Sequence, residues 1–81
     1  MTRGELRAAV LEELKRIAPE LEESELQPAK PLREQVDLDS MDWLNFLVAL
    51  HERLKVDIPE SDYARLGTLD QTLDYLASKG P

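Results

Sequence analysis

A single serine, Ser40, stands where a polar segment gives way to an apolar helical pattern, and its hydroxyl is the candidate for covalent chemistry. It lies within the stretch Asp39-Ser40-Met41-Asp42. Three interpretations compete: a helix cap, a catalytic nucleophile, or an attachment point for a phosphate-linked group. Serine and aspartate both cap helices. The free N–H groups and positive dipole end at a helix start would equally stabilise a phosphodiester placed there.

The nucleophile interpretation requires a base, and the sequence offers one imidazole, His51. If residues 40–54 form one helix, His51 lies three turns from Ser40, roughly 16 Å along the axis. That separation excludes a hydrogen-bonded Ser–His pair. The chain contains no cysteine, so the polypeptide supplies no disulfide, thiolate nucleophile or thiolate metal site. We therefore expect neither a self-sufficient enzyme nor a metal centre.

The elements that would position Ser40 are helical, since no segment alternates as a β-strand does. The spacing predicts a first helix over residues 2–17, beginning with a capping box formed by Thr2 and Glu5. Residues 18–39 follow without a helical period but with leucines and a valine spread through them. A connection of this length predicts a loop that its own apolar side chains hold down.

Three further helices complete the predicted fold. The second covers residues 40–54 with Asp39 as its N-cap, the third is a short helix over residues 59–66, and the fourth runs over residues 68–80 from a second capping box. The fold class is all-α, a four-helix bundle with a short third helix and a long loop between helices 1 and 2. We expect one domain over residues 1–81, folding as a monomer.

The helix predicted over residues 40–54 has more apolar positions than one buried face requires. The broad stripe consists of Trp43, Phe46, Leu47, Leu50 and Leu54. A narrower stripe on nearly the opposite side consists of Met41, Leu44 and Val48. The broad stripe belongs to the core. The narrow one is either covered by the loop or a short helix, or exposed as a surface that docks on a partner.

The charge distribution bears on the choice of partner. The net charge is −7, and residues 18–62 hold four basic and twelve acidic side chains. Such a field repels nucleic acid and anionic lipid and favours basic protein patches. No apolar run is long enough to cross a bilayer, and the N-terminus lacks the pattern of a secretory signal. We expect a cytoplasmic protein.

These motifs resemble those of acyl carrier proteins. Asp39-Ser40-Met41 is similar to the Asp-Ser-Leu motif that marks the attachment serine of that family. Ile58-Pro59, Thr68-Leu69 and Asp74-Tyr75-Leu76 fall where the family has its second loop and last helix. The similarity needs no gap from Val36 to Leu76 and agrees only in pattern before it.

The resemblance implies a carrier without catalytic activity. Ser40, flanked by Asp39 and Met41, would be esterified to 4′-phosphopantetheine, taken from coenzyme A by a holo-acyl-carrier-protein synthase or another phosphopantetheinyl transferase. The arm's thiol would carry an acyl group as a thioester. The protein would present this group to acyl-loading, synthase or transferase enzymes of fatty-acid, polyketide or related specialised metabolism.

The resemblance also assigns surfaces. Basic patches on partner enzymes would recognise acidic and apolar residues along the second helix and its flanks: Asp37, Asp39, Asp42, Glu52 and Asp57 with Met41, Leu44 and Val48. The acyl chain would retreat into a cavity lined by Phe46, Leu47, Leu50, Ile58, Tyr63 and Leu66.

Several residues depart from the family's pattern. Asp37 replaces a common glycine, Asn45, His51 and Arg53 replace acidic residues, and Trp43 and Tyr63 replace small ones. These departures predict a specialised carrier for a short or unusual acyl group. Two alternatives remain open from the residues: an aminoacyl or peptidyl carrier, and an acidic helical interaction module in which Ser40 is only a cap.

Overall fold

The computed structural model describes residues 1–79 and is helical, as the sequence predicts. Its α-helices are α1 (Arg3–Ile17), α2 (Leu32–Gln35), α3 (Ser40–Leu54) and α4 (Leu69–Lys79), with 3-10 helices at Glu23–Glu25 and Glu60–Leu66. No strand occurs within the described range. The four-helix fold class is confirmed. The four predicted helices correspond to α1, α3, the 3-10 helix Glu60–Leu66 and α4, and α2 is an additional single turn inside the long loop. The predicted end of the last helix at Gly80 lies outside the described residues.

The predicted N-terminal caps of α1 and α3 are present. Thr2 and Glu5 form the capping box of α1, with each side chain accepting the other residue's backbone N–H. Asp39 caps α3 by accepting the Asp42 N–H at 2.7 Å. Helix α3 ends at Leu54, and the next residue, Lys55, has a left-handed backbone (φ 55°, ψ 39°). The left-handed residue turns the chain sharply out of the helix, a position that glycine more often fills.

The long loop is held down as predicted, but it contains two short helical turns that the sequence pattern did not reveal. A single turn is too short to show a helical period, which explains the omission. Its apolar anchors are buried: Leu26, Leu32, Val36 and Leu38. The Leu32 N–H donates to the Gly67 carbonyl at 2.8 Å, which ties the loop to the start of α4.

Gln35 fastens the same loop internally. Its side-chain oxygen accepts the Gln27 N–H at 2.6 Å, and its amide nitrogen donates to the Gln27 and Lys30 carbonyls at 2.8 and 2.9 Å. One amide group therefore satisfies several backbone groups that lie outside regular structure. The connection into α3 is consequently ordered by its own contacts.

The short third helix is a 3-10 helix, Glu60–Leu66, and α4 follows it at once. Gly67, which follows this helix, has φ −70° and is not left-handed. Thr68 and Gln71 form the predicted capping box. Helix α1 packs against α3 and α4, and the 3-10 helix packs against α4. This arrangement encloses one core, to which α3 contributes Phe46, Leu47 and Leu50, with Trp43 and Leu54 packed at its edge.

Candidate functional site

Ser40 is the first residue of α3 and is exposed. The capping bond of this helix is accepted by Asp39, so capping does not require the serine. Among the hydrogen bonds of residues 1–79, none involves the Ser40 hydroxyl. A free primary hydroxyl at the start of a 15-residue helix suits a phosphodiester-linked group, because the helix terminus favours negative charge.

His51 lies at the other end of the same helix, which confirms that it cannot act as a base for Ser40. Its Nδ1 is 2.7 Å from the Val56 carbonyl oxygen, just beyond the helix end. The imidazole therefore helps to fix the exit of the chain from α3. The arrangement offers Ser40 no nucleophilic activation.

The narrow apolar stripe is exposed, so the interpretation in which the loop covers it is wrong. The side chains of Met41, Leu44 and Val48 are 65%, 42% and 40% exposed. We call these three residues the exposed strip. It begins beside Ser40 and continues along α3 for two turns, on the face away from the core. Apolar side chains exposed in a row at a helix surface are typical of a site that binds another protein.

The acidic residues predicted to recognise a partner are accessible at the surface. Asp37, Asp39, Glu52 and Asp57 are exposed, and Asp42 is half-buried. The folded loop adds carboxylates that sequence reasoning missed. Glu20, Glu22 and Glu25 line a groove of about 290 Å³ together with Asp37, over a floor of Leu21, Leu26 and Val36. Only the folding of the loop brings them to Asp37, since they lie more than ten positions away in the chain.

Arg53, one of the residues that depart from the family pattern, is engaged inside the molecule. Its guanidinium donates to Glu13 Oε2 at 2.8 Å and also to Glu12. Glu13 is buried on α1, so Arg53 supplies charge compensation that this carboxylate needs. The hydrogen bonds to Glu13 and then to Glu12 raise the pKa of Arg53. The positive charge in the last turn of α3 thus joins two helices.

The six residues predicted to line an acyl cavity lie together in or against the core. Phe46, Leu47, Leu50, Ile58 and Leu66 are buried, and Tyr63 is partly buried beside them. Trp43 covers Phe46, with ring centroids 5.3 Å apart. Both bulky departures, Trp43 and Tyr63, therefore pack against the core to which these residues belong. The acyl cavity itself stays a prediction.

The 3-10 helix beside this region is fixed to α4 by a buried phenol. The Tyr75 hydroxyl donates to Asp62 Oδ2 at 2.6 Å. Burial, followed by the bond to Asp62, raises the pKa of Tyr75 to about 12. Arg65 and Lys79 each lie over the Tyr75 ring, 5.3 and 5.5 Å from its centre. The Asp62 carboxylate therefore holds the 3-10 helix against α4.

Neither a metal-binding cluster nor a membrane-spanning helix occurs in the part of the chain that the structure describes. Within residues 1–79, no three His, Asp or Glu side chains are grouped so that they could hold a metal ion. In the same range, no helix has the length and apolar character needed to cross a membrane.

Comparison with known proteins defines the class. Residues 5–76 match the family model described as a phosphopantetheine attachment site. The acyl carrier protein of Rubrobacter xylanophilus is 26% identical over 73 residues, which cover 86% of this chain and 90% of that protein. That of Acidothermus cellulolyticus is 33% identical over 55 residues, covering 68% and 66%. That of Chlorobium phaeovibrioides is 27% identical over 55 residues, covering 68% and 70%.

The helical bundle and the matched family model define a carrier domain for a covalently attached 4′-phosphopantetheine. The chain belongs to the acyl carrier protein family, and the resemblance seen in the sequence is confirmed. Members of this family interact with phosphopantetheinyl transferases and synthase enzymes.

Proposed function

We propose that Ser40 is the attachment residue and that the protein carries an acyl group to partner enzymes. The observation that carries this proposal is the exposed Ser40 hydroxyl at the start of α3, in a helix that Asp39 already caps. When bound, the phosphopantetheine arm supplies the thiol that this cysteine-free chain lacks and that holds an acyl group as a thioester. The chain's own task is to place the arm and present it.

The docking surface in this proposal is the exposed strip with its acidic border. Burial of Met41, Leu44 and Val48 against an apolar partner surface would provide affinity, at about 25 cal/mol per Å² of apolar area. Carboxylates around the strip, namely Asp37, Asp42, Glu52 and Asp57, would steer a partner that has a basic patch. Glu20, Glu22 and Glu25 extend the acidic field on the loop side. This division predicts partners with an apolar centre and a basic rim.

We further propose that the cargo is short or unusual. Phe46, Leu47, Leu50, Ile58, Tyr63 and Leu66 would line its route into the bundle. The first three are at most 1% exposed, so the core beside α3 is already filled. Trp43 and Tyr63 pack against the same core. A long acyl chain would have to displace these side chains, and a tightly packed core resists such displacement.

The attachment proposal is tested by intact mass. Wild-type protein incubated with coenzyme A and a promiscuous phosphopantetheinyl transferase should gain one phosphopantetheinyl group. Ser40→Ala should gain none. The matched control is Ser24→Ala, which removes an exposed serine of the long loop and should be modified at the wild-type rate.

The melting temperature of Ser40→Ala distinguishes loss of the attachment group from loss of the fold. Because Asp39 holds the cap, the variant should melt within about 3 °C of wild type. An unmodified wild type, or a modified Ser40→Ala, would refute the assignment. The first outcome would favour an interaction module in which Ser40 carries nothing.

A further inference from the structure

Sulfur is rare in this chain, and its placement is informative. The sequence has two methionines and no cysteine, so Met1 and Met41 hold the polypeptide's sulfur. Their side chains are almost equally exposed, 66% for Met1 and 65% for Met41. Met1 stands ahead of α1, whereas Met41 directly follows Ser40 and begins the exposed strip. The two methionine residues are therefore about equally exposed but lie in different surroundings.

Thioether oxidation changes the character of a side chain without removing it. Hydrogen peroxide transfers one oxygen atom to the methionine sulfur: the sulfur lone pair forms the S–O bond, the O–O bond breaks, and the remaining oxygen leaves as water. An organic hydroperoxide would leave as its alcohol. The product is a sulfoxide, which is polar and accepts hydrogen bonds. At an exposed position this change costs the fold little. In an apolar docking surface it places an unpaired polar group where a partner would exclude water.

We propose that Met41 is an oxidation-sensitive modification site at which sulfoxide formation blocks partner docking and reduction restores it. The proposal rests on the proposed function, since it requires the exposed strip to contact the enzyme that acts on Ser40. The ligand class is a peroxide, the modified atom is Met41 Sδ, and the controlled step is loading of the arm. Met41 acts on loading through the contact surface and takes no part in the transfer chemistry.

The neighbours of Met41 support a local effect. Ser40 precedes it, and the carboxylates of Asp39 and Asp42 flank the pair. A transferase that reaches the Ser40 hydroxyl comes close to Met41, because the Cα atoms of consecutive residues are only about 3.8 Å apart. Leu44, the next member of the exposed strip, is 42% exposed. It remains apolar after oxidation, so the strip is interrupted at the end nearest the attachment site.

The experiment compares oxidised and untreated apo-protein in the phosphopantetheine transfer assay. Mild hydrogen peroxide should add oxygen at Met1 and Met41, located by peptide mass mapping. The kcat/KM for transfer from coenzyme A should then fall at least about fivefold, the effect of losing part of one buried apolar contact. Treatment with both methionine sulfoxide reductases and a dithiol should restore it, because the dithiol is oxidised to a disulfide while the oxygen of each sulfur epimer leaves as water.

The matched control is Met41→Leu, in which Met1 is the remaining methionine and every other oxidisable side chain is unchanged. Its oxidised and untreated forms should have equal rates, whatever the absolute rate of the variant. The oxidised wild type should melt within about 3 °C of the untreated protein, which excludes unfolding as the cause.

The two proposals fail in different ways. If untreated wild type gains the phosphopantetheinyl group but oxidation changes kcat/KM less than fivefold, the Met41 proposal is wrong and the Ser40 assignment stands. If peroxide slows Met41→Leu as much as wild type, Met41 is not the sensitive site. If untreated wild type is never modified, the proposed function itself is wrong, and the proposal that depends on it falls too.

Discussion

The two ends of α3 use their side chains in opposite ways. At the N-terminal end, Ser40 and the exposed strip make few contacts with the rest of the chain and face outward. At the C-terminal end, His51 contacts the Val56 carbonyl and Arg53 reaches across to the acidic side chains of α1. The same helix is thus available for recognition at its start and fastened to the fold at its finish.

This difference reinterprets the departures from the family pattern. In the sequence, His51 and Arg53 stand where the family pattern has acidic residues, so the helix is less acidic than that pattern. In the structure the Arg53 guanidinium compensates the charge of the buried Glu13 carboxylate. The His51 ring contacts the Val56 carbonyl, just beyond the end of α3. Asn45 differs, since it is exposed and no such contact explains it. A residue type that breaks a surface pattern can therefore serve packing between helices.

The largest expected effect comes from the N-terminal end. The double variant Leu44→Gln, Val48→Gln should lower kcat/KM for phosphopantetheine transfer at least about tenfold, because it removes apolar area from the exposed strip. Its melting temperature should stay within about 3 °C of wild type, since both positions are helix surface. Ala8→Gln, an exposed apolar position on α1, is the control and should leave transfer unchanged. If the double variant received phosphopantetheine as fast as wild type, the N-terminal end of α3 would not be the recognition surface.

A stability effect is expected at the C-terminal end. Among the ion pairs of residues 1–79, Arg53→Gln leaves the buried Glu13 with Arg16, 3.5 Å away, so the melting temperature should fall by several degrees. Transfer to Ser40 should remain within about twofold of wild type. Arg16→Gln is the control, because its exposed side chain makes the longer contact and should matter less. If Arg53→Gln instead melted like wild type but received phosphopantetheine more slowly, Arg53 would be a recognition residue.

The smallest expected effect is a loss of stability at alkaline pH, and it tests the buried hydroxyl of Tyr75. Tyr75 has its pKa raised to about 12 by burial and by Asp62, against about 10 in unfolded chains. Its contribution to stability is complete below pH 10. It is lost between pH 10 and 12, where the unfolded chain ionises Tyr75 and the folded protein does not.

The measurement is urea unfolding at pH 7 and across pH 9 to 12. Tyr75→Phe should lose about 1 kcal/mol of unfolding free energy at pH 7 with the hydrogen bond, and its stability should fall less steeply above pH 10. Tyr63→Phe, at the other tyrosine, should retain the steep fall. An unaltered alkaline profile in Tyr75→Phe would show that the buried phenol is not responsible.

Much of the fold was accessible from local sequence signals. The capping boxes at Thr2 and Thr68 and the Asp39 cap are adjacent-residue patterns, and all three predicted the observed helix starts. The one-turn helix Leu32–Gln35 was not predictable, because four residues carry no period. The same holds for the Gln35 side chain, whose partners depend on how the loop folds back.

The candidate site divides in the same way. Ser40 and the exposed strip were identified from residue type and helical spacing, although spacing alone could not decide whether the strip was covered. The attachment role of Ser40 remains a prediction. The carboxylates that join Asp37 around the loop groove had no sequence signal, since their proximity arises only on folding.

The sequence by itself determined the four helices outside the long loop, the position of Ser40 at a helix start and the two-sided character of α3, because caps and periodicity are properties of neighbouring residues. The tertiary structure decided which side of α3 stayed open and which charged groups were free to meet a partner. Burial and ion pairing join residues that are distant in the chain, as Arg53 and Glu13 are, so no local pattern could assign them.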